Sequence, residues 1–446
     1  MIKKRFDCFL KVISPIHIGC GEVYEPTGFI IDEKSRKMIV FDTVSFLADL
    51  DKKDKQRFSE ICLKGTISSL LEIYKFLRGR RVQGRSVNIC EGLVEHYKKT
   101  LSIPLKDTRR IQQELNKFEI ERTSFLTNAE KSYIPGSSIK GALRTAYLNM
   151  ISKGKNISAK EHRKSGKNLE ELLLKGRFST DPFRMVKVSD FRPTANVKTK
   201  IAYAINQKKY KHSGTARGPY QILEVIEPGS IFYGSIEVCT PENGAGIKNP
   251  IKLDILLKSA DEFYKKQQKR EMEELKHIPL HEIAVPKDEK GYLLRIGRHS
   301  GIESITIENY RMSDATTAWL ASEFSKATPG QNLWPFGWAY LVKADEKLLD
   351  ELEKEIPPQE EIEIKSEPSE EEKTLSATIE KWESITISWD PGSQVITAYK
   401  EGKKAIAKGK ALIPEHLHKK LFKKKIAKAT IEVEIVGNSY KIVKIY

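Results

Sequence analysis

Tyr133-Ile-Pro-Gly-Ser-Ser-Ile-Lys-Gly-Ala-Leu-Arg-Thr-Ala146 is the most informative stretch of the chain. Pro135-Gly136 turns the backbone, and Ser137 or Ser138 is placed to cap the helix that follows. That helix is expected over Ser138 to Ile151, with Ile139, Ala142, Leu143, Ala146, Tyr147 and Met150 on one face. A glycine turn feeding a helix N-terminus presents free N–H groups to an anion. Gly136 and Gly141 have the spacing of a P-loop, but Ala142-Leu143 stand where Lys-Ser/Thr is required, so nucleotide hydrolysis is not supported. Lys140 and Arg144 lie four apart on one helical stripe and repel each other unless an anion sits between them. The competing reading is an ordinary capped amphipathic helix.

Two further glycine turns stand at strand ends, Gly19-Cys-Gly21 and Gly297-Arg-His-Ser-Gly301. Neither completes a dinucleotide fingerprint, because Tyr24 occupies the third glycine position of the first. Arg295, Arg298 and His299 make the second loop basic, which suits close approach of a phosphate backbone. His17, beside the first turn, is the histidine best placed for acid–base work, although a structural hydrogen bond is the simpler role. His277 and His281 are separated by Pro279, no Cys-x-x-Cys occurs, and five cysteines give no disulfide framework. No catalytic residue, metal site or cofactor is therefore nominated. Tyr203, Tyr210, Tyr220, Trp334, Phe336 and Trp338 lie near basic residues and most are expected to be core.

Charge organises the 446 residues. Lys+Arg number 77 against 60 Asp+Glu, a formal net charge of +17. Residues 345–373 carry 13 acids and 4 bases, net −9, with three prolines, and read as a flexible linker over 345–375. Residues 374–446 hold 14 lysines and 7 acids, net +7, which leaves +19 for residues 1–344. Such a surface is the footprint of a polyanion partner, with plain solubility as the competing reading. Arg78 to Arg110, interrupted by Gly79, Gly84 and Gly92, reads as an irregular basic insertion. Asp7 and Lys11 break any secretory apolar core, and no apolar run has the length of a membrane span. A cytoplasmic protein is expected.

Strands Phe9–Ile18, Phe29–Asp32, Met38–Phe41, Ile222–Ile226, Ile231–Val238 and Tyr292–Ile296 alternate with helices from Thr43 to about Lys64, Ser68 to about Leu77 and Ile255 to about His277, the last expected to be solvated. The pattern is α+β, two units on antiparallel sheets. The tail reads as a small β-rich module: Ser384–Trp389, Val395–Tyr399, a helix Glu415–Lys425, then Ala429–Val436 and Tyr440–Tyr446.

Ser14-Pro-Ile-His-Ile-Gly-Cys-Gly-Glu22, Tyr24-Glu-Pro-Thr-Gly-Phe-Ile-Ile-Asp32 and Ile134–Thr145 together resemble the RAMP superfamily of type III CRISPR effectors. Asp181-Pro-Phe-Arg184, Val188-Ser-Asp190 and Leu294–Gly301 narrow the resemblance to the family of the fifth subunit of type III-A (Csm) complexes, over roughly residues 1–344. The resemblance implies two ferredoxin-like (RRM-like) domains, assigned here to 1–160 and 161–344, followed by the linker and a Lys-rich module over 376–446. It implies a non-catalytic crRNA-binding subunit that caps the guide filament near the crRNA 3′ end, contacts target single-stranded RNA and the other Csm subunits, and has no membrane partner. RNA contact is then expected at His17, Gly19, Gly21, Gly136, Ser137, Ser138, Lys140, Arg144, Arg295, Arg298 and His299. The alternative is a metal-independent RAMP endoribonuclease with His17 as acid or base. The module at 376–446 belongs to no part of the resemblance; its charge suggests a second nucleic-acid contact, and protein docking is the rival.

Overall fold

The computed structural model describes residues 3–127, 131–155, 166–210, 218–286, 290–311, 313–345, 378–390, 395–400, 403–408, 412–424, 426–436 and 439–446. The chain divides into two units, Met1–Pro357 and Pro358–Tyr446. Beyond Asp345, the expected acidic linker lies outside the described residues.

The first unit begins with β1 (Lys3–Val12), β2 (Gly19–Val23) and the hairpin of β3 (Phe29–Asp32) and β4 (Lys37–Val40). Helices α1 (Thr43–Asp49), α2 (Lys52–Leu63) and α3 (Ile67–Leu77) follow. The single helix expected from Thr43 to Lys64 is split because the Asp51 side chain accepts from the Asp54 N–H and starts a new helix. The expected irregular insertion at 78–110 is instead largely ordered, as β5 (Arg85–Ile89), α4 (Glu91–Leu101) and the start of α5 (Thr108–Lys117). Gly84 and Gly92 mark close packing rather than flexibility: a Cβ there would meet the Val40 and Glu323 carbonyls at 2.1 and 2.7 Å, respectively, whereas Gly79 has open space and a left-handed φ of +75.

Next come β6 (Ile120–Thr123), the short pair β7 (Phe125–Leu126) and β8 (Lys131–Ser132), α6 (Gly136–Ser152) and α7 (Gly166–Leu174). Then follow β9 (Val186–Val188), β10 (Arg192–Pro193), β11 (Thr199–Lys208), β12 (Gln221–Ile226) and β13 (Ile231–Cys239). Helix α8 (Leu253–Glu274), β14 (Gly291–Arg295), α9 (Ile302–Ile305), β15 (Thr317–Ser322), β16 (Trp334–Pro335) and β17 (Trp338–Lys343) complete the unit. Helix α8 is no solvated helix: Leu256, Ala260 and Tyr264 are fully buried, and the Tyr264 hydroxyl donates to the Ala142 carbonyl of α6 at 3.2 Å.

These strands form two main sheets, and the architecture is α+β. The first sheet is antiparallel, in the order β10-β13-β1-β17-β14, with β9 also on β13. The second is mixed, in the order β2-β6-β12-β11-β5-β4-β3, with β15 and β16 continuing from β11. The expected division at 160/161 does not separate them. Strand β1 lies between β13 and β17, and the second sheet likewise takes strands from both sides of that boundary. Among the described residues no helix is long and apolar enough to cross a membrane.

The second unit is a closed barrel of β18 (Thr378–Asp390), β19 (Val395–Lys400), β20 (Lys403–Lys408), β21 (Ile426–Val436) and β22 (Ser439–Ile445), with α10 (Glu415–Lys424) between β20 and β21. Trp382, Ile387, Ile396, Leu421 and Ile431 fill its own core. Strand β20 escaped the sequence reading because its inward residues are Ala405 and Ala407, which carry little apolar signal.

Candidate nucleic-acid interface

The segment from Ile13 to Ile18 carries the chain from one sheet to the other, and backbone hydrogen bonds fix it. The Ile13 and Ser14 N–H groups donate to the Trp338 carbonyl, at 2.9 and 3.1 Å, and the Ser124 N–H donates to the Ile18 carbonyl at 2.7 Å. The loop at 297–301 closes over the same segment, the Arg298 N–H donating to the His17 carbonyl at 2.8 Å. Gly297 has φ +82, and a Cβ there would lie 2.5 Å from that carbonyl oxygen, so only glycine fits. The two glycine turns, almost 300 residues apart in sequence, thus come together.

The imidazole of His17 is fully buried, and its Nδ1–H donates to the Glu224 carbonyl at 2.8 Å. Burial holds its pKa below the ordinary value, the carbonyl bond opposing only in part. This is a neutral histidine that pins the crossover to β12. Gly19 and Gly21 are exposed on β2, and Gly21 takes φ +81. His299, itself at φ +66, stacks on Trp319 with ring centroids 4.8 Å apart and shares a 2.8 Å hydrogen bond with the Gln221 amide oxygen. Burial, then the charge of Arg298, pushes its pKa down to about 3.

The arginines of the loop are not open cations. Arg295 is 5% exposed; its guanidinium pairs with Glu271 at 2.6 Å, donates to the Phe336 carbonyl at 2.9 Å and lies 4.8 Å from the centre of the Trp338 ring. Expected at an RNA contact, Arg295 is placed in the core, where it ties β14 to α8. Arg298 is more exposed and paired with Glu121 of β6.

The signature helix differs from its expected form at its first turn. Helix α6 begins at Gly136, with Pro135 rather than a serine in the cap position. The Gly136 N–H donates to the Asp190 carboxylate at 2.8 Å, and a Cβ at Gly136 would come within 2.6 Å of the Val188 and Ser189 carbonyls. Glycine is needed there because strand β9 and its continuation press against the helix start. Ser137 is exposed and Ser138 half-buried, its N–H donating to the Pro135 carbonyl at 2.9 Å. Arg144 is held by two carboxylates, Glu170 at 2.6 Å and Asp181 at 2.9 Å, and stacks 4.9 Å over Phe183. The repulsion expected between Lys140 and Arg144 is therefore relieved by the protein itself at Arg144.

Lys140 has no such partner. Half-buried, it forms no ion pair among the described residues, and burial first, then Lys187 of β9, pull its pKa down, against the attraction of Asp181. Exposed Lys187 likewise forms no ion pair among the described residues: Glu237, its cross-strand neighbour, pairs with Lys3 at 3.4 Å. Two ammonium groups without an ion pair among the described residues thus lie near the start of α6. Lys140 is visible in the sequence as part of the signature helix, whereas Lys187, a lone lysine in a three-residue strand, carries no local signal.

A model of the RAMP superfamily matches residues 9–300, most of the first unit. The chain belongs to the RAMP superfamily. Among RAMP relatives, the CRISPR system Cms protein Csm5 of Methanocaldococcus jannaschii is 28% identical over 282 residues, 57% of this chain and 60% of that protein. The protein of the same name from Streptococcus thermophilus is 28% identical over 273 residues, 59% of this chain and 70% of its own. The match thus spans less than two thirds of the archaeal relative's length. A chain from the cryo-EM structure of a Csm–crRNA–target RNA ternary complex of a type III-A CRISPR-Cas system superposes with a TM-score of 0.50 and 20% identity, covering 75% of this RAMP chain and all of that one. The shared feature is the fold.

Proposed function

We propose that this protein is a non-catalytic crRNA-binding subunit of a type III-A CRISPR (Csm) complex, capping the guide filament near the crRNA 3′ end and supporting crRNA maturation and antiviral defence in the cytoplasm. Its other partners are target single-stranded RNA and the neighbouring Csm subunits. The first sheet with α6 and α8 supports a ferredoxin-like reading, since β1-α6-β9-β13-α8-β17 runs βαββαβ with strand order 2-3-1-4 and β14 added at the edge. The acidic, proline-bearing segment 345–375 is read from its composition as the linker to the C-terminal module.

One observation carries the RNA reading: the Lys140–Lys187 pair beside the α6 N-terminus. Neither lysine forms an ion pair among the described residues, because Asp181 is engaged by Arg144 and Asp190 by the Gly136 N–H, and two such like charges attract a further anion. A guide phosphate is such an anion. The three arginines expected to share this role point elsewhere in the fold, so the phosphate contact rests on the two lysines. Lys140→Ala/Lys187→Ala is expected to melt within a degree or two of wild type. It should bind a crRNA-length single strand at least tenfold more weakly, with a log K against log salt slope shallower by about one to two units. Unchanged affinity and slope in a protein of unchanged melting temperature would remove the reading.

A further inference from the structure

Helix α7 ends at Leu174, and the chain reaches β9 through a tight turn followed by a 3-10 turn, Pro182–Met185. Hydrogen bonds brace this connection. The Thr180 N–H donates to the Arg177 carbonyl at 2.9 Å, closing a β-turn, and the Arg177 N–H donates to the Thr180 hydroxyl oxygen at 3.0 Å. Gly176 is pressed against the same turn, since a Cβ there would lie 2.5 Å from the Thr180 carbonyl oxygen. Asp181 then caps the 3-10 turn, its carboxylate accepting from the Phe183 N–H at 2.8 Å.

Phe178 is the second residue of this braced β-turn and is 81% exposed. The Arg184 guanidinium lies 5.5 Å from its ring centre, and the remainder of the ring meets water. Phe183, five residues on, is by contrast buried in the core. Turn positions of this kind ordinarily take proline, glycine or a small polar residue. A ring that the backbone holds out in water contributes nothing to the packing of the fold. A ligand that covers it gains the apolar surface removed from water.

Charge narrows the kind of ligand. Between Leu172 and Ser189 the chain has four cations, Lys175, Arg177, Arg184 and Lys187, all exposed, and one acid, Asp181. Asp181 is taken by Arg144 at 2.9 Å, and none of the four cations forms an ion pair among the described residues. An aromatic ring set within such charge complements a single-stranded nucleic acid, whose bases bring π faces and whose backbone brings phosphates. An acidic protein segment answers the charges alone.

We propose that the Arg177–Thr180 turn is a base-stacking subsite for single-stranded RNA, with one base on the Phe178 ring and its flanking phosphates met by Arg177 and Arg184. The subsite rests on the RNA reading of Lys140 and Lys187 and extends it from phosphate to base. The two places are joined by a short stretch of chain. Asp181, three residues after Phe178, is close enough to attract the Lys140 ammonium, and Lys187 follows Arg184 by three residues.

The test uses the full-length protein and two 12-nucleotide probes of equal charge, oligo(U) and an abasic strand with the same backbone, titrated over a range of salt. Phe178→Ala should bind oligo(U) at least fivefold more weakly and the abasic strand as wild type does. Its log K against log salt slope should be unchanged, because no phosphate contact is removed. Phe178→Trp should bind oligo(U) as wild type does, and both variants should melt near the wild-type temperature because the side chain is exposed. Unchanged oligo(U) binding by Phe178→Ala, the behaviour of a protein-docking ring, would overturn the proposal if Lys140→Ala/Lys187→Ala is weakened, and would leave the phosphate reading standing. Equal losses on both probes would also overturn it. Weakening by Phe178→Ala on oligo(U) alone, while the double lysine variant binds as wild type, would support the stacking subsite and remove the phosphate reading.

Discussion

The signature segment at 133–146 and the loop at 294–301 present the same kinds of residue, glycines beside two cations, yet they use their charges in opposite ways. Every cation of the loop is satisfied within the protein: Arg295 by Glu271, Arg298 by Glu121, while His299 is kept neutral between Gln221 and Trp319. In the signature segment Arg144 is equally satisfied, but Lys140 is left beside Lys187 with no carboxylate of its own. A count of lysines and arginines treats the two segments alike. What separates structural from ligand-seeking charge is the position of the carboxylates, and these come from distant parts of the chain.

The largest expected effect follows from the buried pair in the loop. Arg295→Ala leaves Glu271 inside the core with a negative charge and the Trp338 indole N–H as its remaining partner, at 2.9 Å. Such an isolated charge costs about 3–5 kcal/mol. Chemical denaturation of the first unit should show a loss of that order, while the folded fraction keeps its RNA affinity. Lost RNA affinity at full stability would reverse the contrast and make the loop the phosphate site.

A smaller effect separates the loop by pH. His299 ordinarily titrates near 6.5 and is pushed down to about 3 in the fold. Above pH 6.5 both folded and unfolded forms are neutral, and the group adds no pH dependence. Below it the unfolded chain takes up a proton that the folded one refuses. Stability should therefore fall by about 1.4 kcal/mol per pH unit from this residue. His299→Asn tolerates the left-handed backbone and lacks the proton site, so its stability curve between pH 6.5 and 5 should be flatter by that amount. Parallel curves would show that the ring is not sequestered.

The smallest effect lies within α6. A Cβ at Gly141 meets nothing within 4 Å, unlike one at Gly136. Gly141→Ala should raise stability by about 0.5–1 kcal/mol through backbone entropy. A destabilised variant would mean that Gly141 is kept for something that approaches the helix closely.

The α+β class, the signature helix and most strand positions were legible in the sequence because alternation, capping and glycine turns are local. The pairing of those strands was not. Nothing within Lys3–Val12 announces partners at 231–239 and 339–343, so a tidy cut at 160/161 looked reasonable. The site was half legible for the same reason. Gly136, Lys140 and the glycine turns were visible as motifs, while the acceptor on Gly136 is Asp190, the partner of Arg144 is Glu170, and the neighbour of Lys140 is Lys187. In the tail, alanines rather than large apolar residues line β20, and the missing strand hid the barrel's connectivity.

The position of β1 has a consequence for the birth of the molecule. Strand β1 becomes the centre of a sheet whose flanking strands are encoded more than 200 and 300 residues later. At about 5–20 residues per second its second partner emerges roughly 15 to 70 s after it does. Until β13 emerges, Cys8, Phe9 and Leu10 belong to a strand with neither edge covered, and until β17 follows one edge stays open, the condition under which chains pair with the wrong neighbour. The barrel, whose pairings lie within 69 residues, has no such wait. Timely assembly of the RAMP body thus depends on holding its opening strand soluble until the rest of the sheet arrives, a task for Lys3, Lys4 and Arg5, the charged residues at its head.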